Sequence, residues 1–171
     1  MKRRSVLRTV GAGLAALGGG CLGSGGEVIV SIQQNVTVDP GTAWLETGIP
    51  DLSDSGGAIE YIVRSETPFD VYFFADESDF EQYDAYIRGH DPDDTPPGNG
   101  DFSQTAVPDA DSELYEATTD DSGSRQSVEM TGPYYFAVDH SSYRMETRVE
   151  EFDDPLSAFV DLKVIRDRSV I

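Results

Sequence analysis

The stretch FDVYFFAD, residues 69–76, decides the fold class. In an extended chain successive side chains point to opposite faces, so Phe69, Val71 and Phe73 line one side and Tyr72 and Phe74 the other. Pro68 breaks the chain just before it. Beyond Asp76 the period changes. Ser78-Asp79-Phe80-Glu81 reads as a capping box, in which the Ser hydroxyl accepts from the Glu81 amide and Glu81 reaches back to the Ser78 amide. Phe80, Tyr83 and Ile87 then share one helical face, and Gly89 after Arg88 supplies a stop. A strand followed by about three turns of helix is expected.

Working outward, period two returns on both sides. VIVSIQQNVTV (28–38) ends at Asp39-Pro40-Gly41, a strong turn signal. AIEYIVRS (58–65) puts Ile59, Tyr61 and Val63 on one face. Downstream, SRQSVEM (124–130) runs into Gly132-Pro133. YYFAVDHS (134–141) then alternates Tyr134, Phe136 and Val138 with Tyr135 and Ala137, and AFVDLKVI (158–165) closes the pattern. Short β-rich runs separated by Gly and Pro turns predict an all-β, jelly-roll-like β-sandwich with one short helix after a central strand. The segment from His90 to Ser112 is acidic and rich in Pro and Gly, and is expected to be a long mobile loop or a site.

The order of VDPGTAW, AIEYIVRS, TPFDVYFFADESDFEQY and MTGPYYFAVDHSSY resembles GOLD-type and pre-peptidase C-terminal domains, especially the small versions on haloarchaeal lipoproteins. The resemblance spans most of residues 27–171 and rests on turns and core positions. It implies an accessory or binding module without catalysis, and it transfers no functional residue.

Charge narrows the setting. Beyond Gly20 the chain carries eight basic and 32 acidic residues, a formal −24; 20 of the acids are Asp, and Lys163 is the one Lys. Self-repulsion on this scale destabilises a compact state in dilute buffer, whereas at molar salt the Debye length falls to about 3 Å. The composition resembles that of proteins from extreme halophiles; an acidic secreted protein of ordinary solvent is the alternative. No basic patch exists to neutralise phosphates, so nucleic acid is not an expected partner.

The first 26 residues differ from the rest of the chain. Lys2-Arg3-Arg4 precedes a weakly apolar run from Thr9 to Gly20, which contains five glycines. Twelve helical residues reach about 18 Å, short of the roughly 30 Å hydrocarbon core. Arg3-Arg4-Ser5-Val6-Leu7-Arg8 resembles a twin-arginine export signal, whose pathway carries proteins already folded. Small residues lead into Cys21 as in a lipobox, although Gly18 stands where Leu is usual. The resemblance implies cleavage before Cys21, a lipid on its sulfur and anchorage in the membrane. A lone Cys is otherwise a small hydrophobe or an intermolecular disulfide partner. The expected organisation is a signal (1–20), a lipidated Cys with a flexible tether (21–26) and the acidic sandwich (27–171), placed on the outer face of the cell membrane.

Candidate sites are few. Asp139-His140-Ser141-Ser142 holds the residue types of a hydrolase triad, but neighbours in a strand face opposite ways and no Gly-x-Ser-x-Gly elbow occurs. An enzyme is not expected. With His90 and His140 the only histidines, a zinc or copper cage lacks ligands. Calcium finds oxygens at Asp91, Asp93 and Asp94, with Asp101 nearby, but Thr95 and Pro96 break the EF-hand pattern. Asp109-Ala110-Asp111 fails likewise, with Leu114 at the Gly position; a solvated acidic loop is the simpler reading. Tyr115, Tyr134, Tyr135, Phe136 and Tyr143 supply aromatic surface for a sugar or peptide, with Tyr135 and Tyr143 the candidate platform, although strand aromatics more often fill cores. Trp44 follows a turn and is expected to be buried. Asn35-Val36-Thr37 matches a glycosylation sequon lying in a strand. The expected activity is non-catalytic binding of another envelope component, with a glycan- or calcium-binding module as the alternative.

Overall fold

The computed structural model describes residues 26–52, 56–89, 104–119, 126–128, 132, 134–143 and 154–167. They form two antiparallel sheets facing each other. The first contains β1 (Gly26–Val38), β10 (Leu156–Asp167), β3 (Gly57–Ser65), β7 (Tyr115–Thr118) and β6 (Val107–Pro108) in that spatial order. β8 (Gln126–Val128) also pairs with β3. The second orders β2 (Thr42–Ile49), β9 (Tyr134–His140), β4 (Asp70–Phe74) and β5 (Gln104–Thr105). One helix among the described residues, α1 (Glu77–Ile87), follows β4, an interior strand. The chain is an all-β sandwich.

The period-two reading accounts for the main layer. Phe69, Val71 and Phe73 meet Tyr134, Phe136 and Val138 from β9 and Ile59, Tyr61 and Val63 from β3 in one buried cluster between the sheets. Phe73 stacks on Tyr134 at 5.6 Å, and Tyr61 leans on Phe136 at 5.2 Å. Each fully buried large apolar side chain contributes about 1.5–3 kcal/mol, so the described core stands without a cross-link. Trp44 is half-buried against this core, edge-on to Phe136. Burial of the Tyr61 hydroxyl, which donates to Gln104 Oε1 at 2.9 Å, pushes its pKa up to about 12.

The Asp39-Pro40-Gly41 turn carries the chain from one sheet to the other. Gly41 takes φ +74°, its N–H donates to the His140 carbonyl at 2.9 Å, and Thr42 N–H donates to the Asp39 carbonyl at 3.1 Å. Glycine is required there because a side chain at that φ meets its own backbone. β2 begins one residue later, a strand that no run of alternating residues announces.

Two expectations are corrected. The helix is capped by Asp76 and not by Ser78: the Asp76 carboxylate accepts from the N–H groups of Ser78 (2.9 Å) and Asp79 (3.1 Å), and Glu77 opens the helix. Asp is as good an N-cap as Ser, and it stands where the chain leaves β4 in an extended conformation. The stretch from His90 to Ser112 is not one patternless loop, because Gln104–Thr105 and Val107–Pro108 are paired strands. Gly89, at φ +75°, ends the helix as expected.

Candidate functional site

Buried Asp139, Ser141 and Asp70 lie on the outer face of the second sheet, beneath α1. On β4 the residues facing the helix are Asp70, Tyr72 and Phe74; on β9 they are Tyr135, Ala137 and Asp139. α1 returns along this face because its apolar stripe, Phe80, Tyr83 and Ile87 with Tyr86, has these residues to cover. Tyr72, Tyr83 and Tyr143 pack as a knot of tilted and edge-on rings 4.9–5.6 Å apart.

Asp139 sits at the centre of this layer with no exposed surface. The Tyr83 hydroxyl, from the helix, donates to its Oδ2 at 2.6 Å. Ser141 N–H donates to Oδ1 at 3.0 Å, and Ser141 Oγ lies 3.0 and 2.9 Å from the two carboxylate oxygens. Tyr143 N–H in turn donates to Ser141 Oγ at 3.1 Å. Directly across the ladder is Asp70, also buried, with the Tyr72 hydroxyl 3.4 Å from its Oδ2 and 3.3 Å from the Tyr143 carbonyl.

Two carboxyls opposed on one buried face repel if both ionise. Burial raises the Asp139 pKa to about 6; the Tyr83 and Ser141 hydrogen bonds pull it back and Asp70 pushes it further up. Burial, then the Asp139 charge, hold the Tyr83 hydroxyl well above its ordinary value, so it remains a donor. A carboxyl near pH 6 beside a tyrosine and a serine has acid–base capacity. Here those groups hold one another, and Asp139, Tyr83 and Ser141 are each at most 2% exposed. The cluster ties helix to sheet.

The Asp139-His140-Ser141 sequence does not converge as a triad. Asp139 and Ser141 meet, but His140 faces the other way, its Nε2 2.9 Å from the Asp154 carbonyl oxygen. The imidazole therefore holds the approach to β10 and stands clear of the acid and the hydroxyl.

The aromatic platform is divided. Tyr143 is fully buried in the knot, so it presents no ring to a ligand; the tyrosines around it overturn that half of the expectation. Tyr135 is half-buried and lies parallel to Phe80 at 3.8 Å, which covers one ring face. Burial raises its pKa, and Glu77 and Glu81 add to the shift. Tyr134 and Phe136 belong to the inter-sheet core, and Tyr115 packs partly against it. Arg3, Arg4, Cys21, Asp91, Asp93 and Asp94 lie outside the described residues. Among the described residues no group of three or more His, Cys, Asp or Glu side chains is placed to hold a metal ion, and no helix is long and apolar enough to cross a membrane. Asp109 is held below the usual carboxylate range by the Ser112 hydroxyl.

The Tyr83–Asp139 contact is absent from the expectations drawn on sequence. Its signal lies in the spacing of Tyr135, Ala137 and Asp139, which puts the acid on the face that an amphipathic helix after β4 would cover. Neither a family model, nor a curated protein, nor a solved structure matches the chain.

Proposed function

We propose that this chain is an exported lipoprotein of the cell envelope whose acidic β-sandwich is a non-catalytic binding module working in high salt. The observation that carries the reading is the order of three features: Arg3-Arg4 before a Gly-rich run, Cys21 at its end, and a folded strand that begins only five residues later at Gly26. The lipid on Cys21 holds the domain at the membrane, and the formal −24 beyond Gly20 keeps it soluble there. The enclosure of Asp139, Ser141 and Tyr83 supports a module without catalysis, and so does the resemblance to GOLD-type and pre-peptidase C-terminal domains.

The test is cross-linking in cells, on membranes kept at molar salt, with chemistry aimed at carboxylates because Lys163 is the one Lys after residue 20. Reproducible links to one envelope protein are expected. Links confined to the chain itself, with full peptide coverage, overturn the protein-partner reading. A second reading, recognition of a sugar, is favoured by the half-buried Phe80–Tyr135 pair beside Glu77 and Glu81. It predicts that Tyr135→Ala abolishes a fluorescence response to oligosaccharide at fixed ionic strength.

A further inference from the structure

We infer that Asn35 is a glycosylation site, and that its oligosaccharide lies along Phe159 and covers the open edge of the first sheet. This rests on the exported reading above. The sequon Asn35-Val36-Thr37 lies in β1, and the strand's alternation puts Val36 in the core while Asn35 and Thr37 are exposed on the outer face. Both side chains that the modification requires are therefore on the solvent side, and Val36 anchors them.

The neighbour of Asn35 points to a sugar. Directly opposite on β10 is Phe159, half-buried on the same outer face, with Arg64 as its partner on β3. Opposed side chains in an antiparallel pair stand about 5 Å apart. A pyranose on the Asn35 amide would thus have an aromatic ring beside it on which to lay its C–H face. Around it the outer face carries Ser157, Asp161 and Arg64, with half-buried Ile62 diagonally across on β3.

The edge itself has need of a cover. Among the described residues β1 pairs only with β10, so its other side is a row of backbone donors and acceptors thirteen residues long. Such edges are usually blunted by Lys, by Pro, by charge or by bulges. β1 has a register shift between Val28 and Val30 and nothing comparable after it; from Val28 to Val38 it has no charged residue, in a chain that is 26% charged. At molar salt, where charge no longer keeps copies apart, a bulky hydrophilic group at Asn35 blocks strand addition along the edge.

The experiment uses the chain purified from its producing cells. Cleavage after glutamate releases residues 28–46 as one peptide, and mass spectrometry is expected to find Asn35 carrying hexose-containing mass. Bare Asn35 on chains that begin at Cys21 overturns the site while leaving export standing. Bare Asn35 on chains that keep residues 1–20 overturns both. Asn35→Gln should shift the protein at molar salt from monomer to dimer or larger in sedimentation, and Thr37→Ser, which keeps the sequon, should not; a monomeric Asn35→Gln chain overturns the covering role. Phe159→Leu should lower Tm more in the glycosylated chain than in Asn35→Gln, and equal losses overturn the contact with Phe159.

Discussion

Asp139 is the residue whose placement is most costly and most informative. Its pKa rises from 3.8 in the open chain to about 6 in the fold, so between those values the folded state holds a proton that the unfolded state has released. The stabilisation is complete below about pH 4 and is lost as pH rises through 6, on the order of 3 kcal/mol by linkage. Asp70 lies opposite on the same face, and the Tyr83 hydroxyl, held well above its ordinary value, stays protonated across this window. Asp139→Asn keeps an acceptor for Tyr83 and removes the charge. Measured by urea unfolding at fixed molar salt, the variant is expected to lose the fall in stability between pH 4 and 7, while the natural chain keeps it. A variant whose pH profile overlays the natural one would assign the slope to other carboxylates. Burial of an acid is hard to see in sequence because Asp is ordinarily a surface residue. Only its two-residue step from Ala137 reveals the face.

At the scale of the element, α1 offers a direct contrast between two caps. Asp76 satisfies two of the orphan N–H groups at the helix start, and loss of such a cap costs about 1 kcal/mol. Asp76→Ala is therefore expected to lower the urea midpoint by that equivalent with unchanged m, whereas Ser78→Ala, at an exposed position inside the first turn, changes it by less than about 0.5 kcal/mol. Equal effects would restore the capping-box geometry. The strands divide in the same way between what is local and what is not. β3, β4, β9 and β10 carry their own alternation, Ile59-Tyr61-Val63 and Tyr134-Phe136-Val138 being clear instances, and their inward faces are legible in sequence. β2 is not, because Trp44 and Leu45 are adjacent apolar residues on opposite faces and the strand runs on through Glu-Thr-Gly. β5 and β6 are two residues each, too short to carry a period, and exist through pairing with β4 and β7. Of the candidate platform, Tyr135 and Tyr143 look alike in sequence; Phe80 over one and the tyrosine knot around the other separate them.

The whole molecule is governed by its charge. Ion pairs such as Arg64–Glu116 and Arg88–Asp84 are already counted in the formal −20 and leave it unchanged, and exposed pairs of this kind contribute at most about 1 kcal/mol each. The remaining carboxylates repel across distances that a Debye length of about 10 Å at 0.1 M salt leaves open and one of about 3 Å at 1 M closes. For a chain of this size each kcal/mol relieved raises Tm by about 2–4 °C. At pH 7 the midpoint is therefore expected to climb by roughly 10 °C between about 0.1 and 2 M chloride salt, in scanning calorimetry. Two controls separate screening from general exclusion of solute from the surface. Sucrose, which is excluded but carries no charge, should raise Tm by much less at equal osmolality. Near the isoelectric point of about 4.1, where the net charge and its repulsion vanish, chloride should have little effect. A salt gain that persists undiminished at that pH, or that sucrose reproduces, would mean that the acidic surface is not what makes the fold depend on salt, and the halophilic reading of the composition would fall with it.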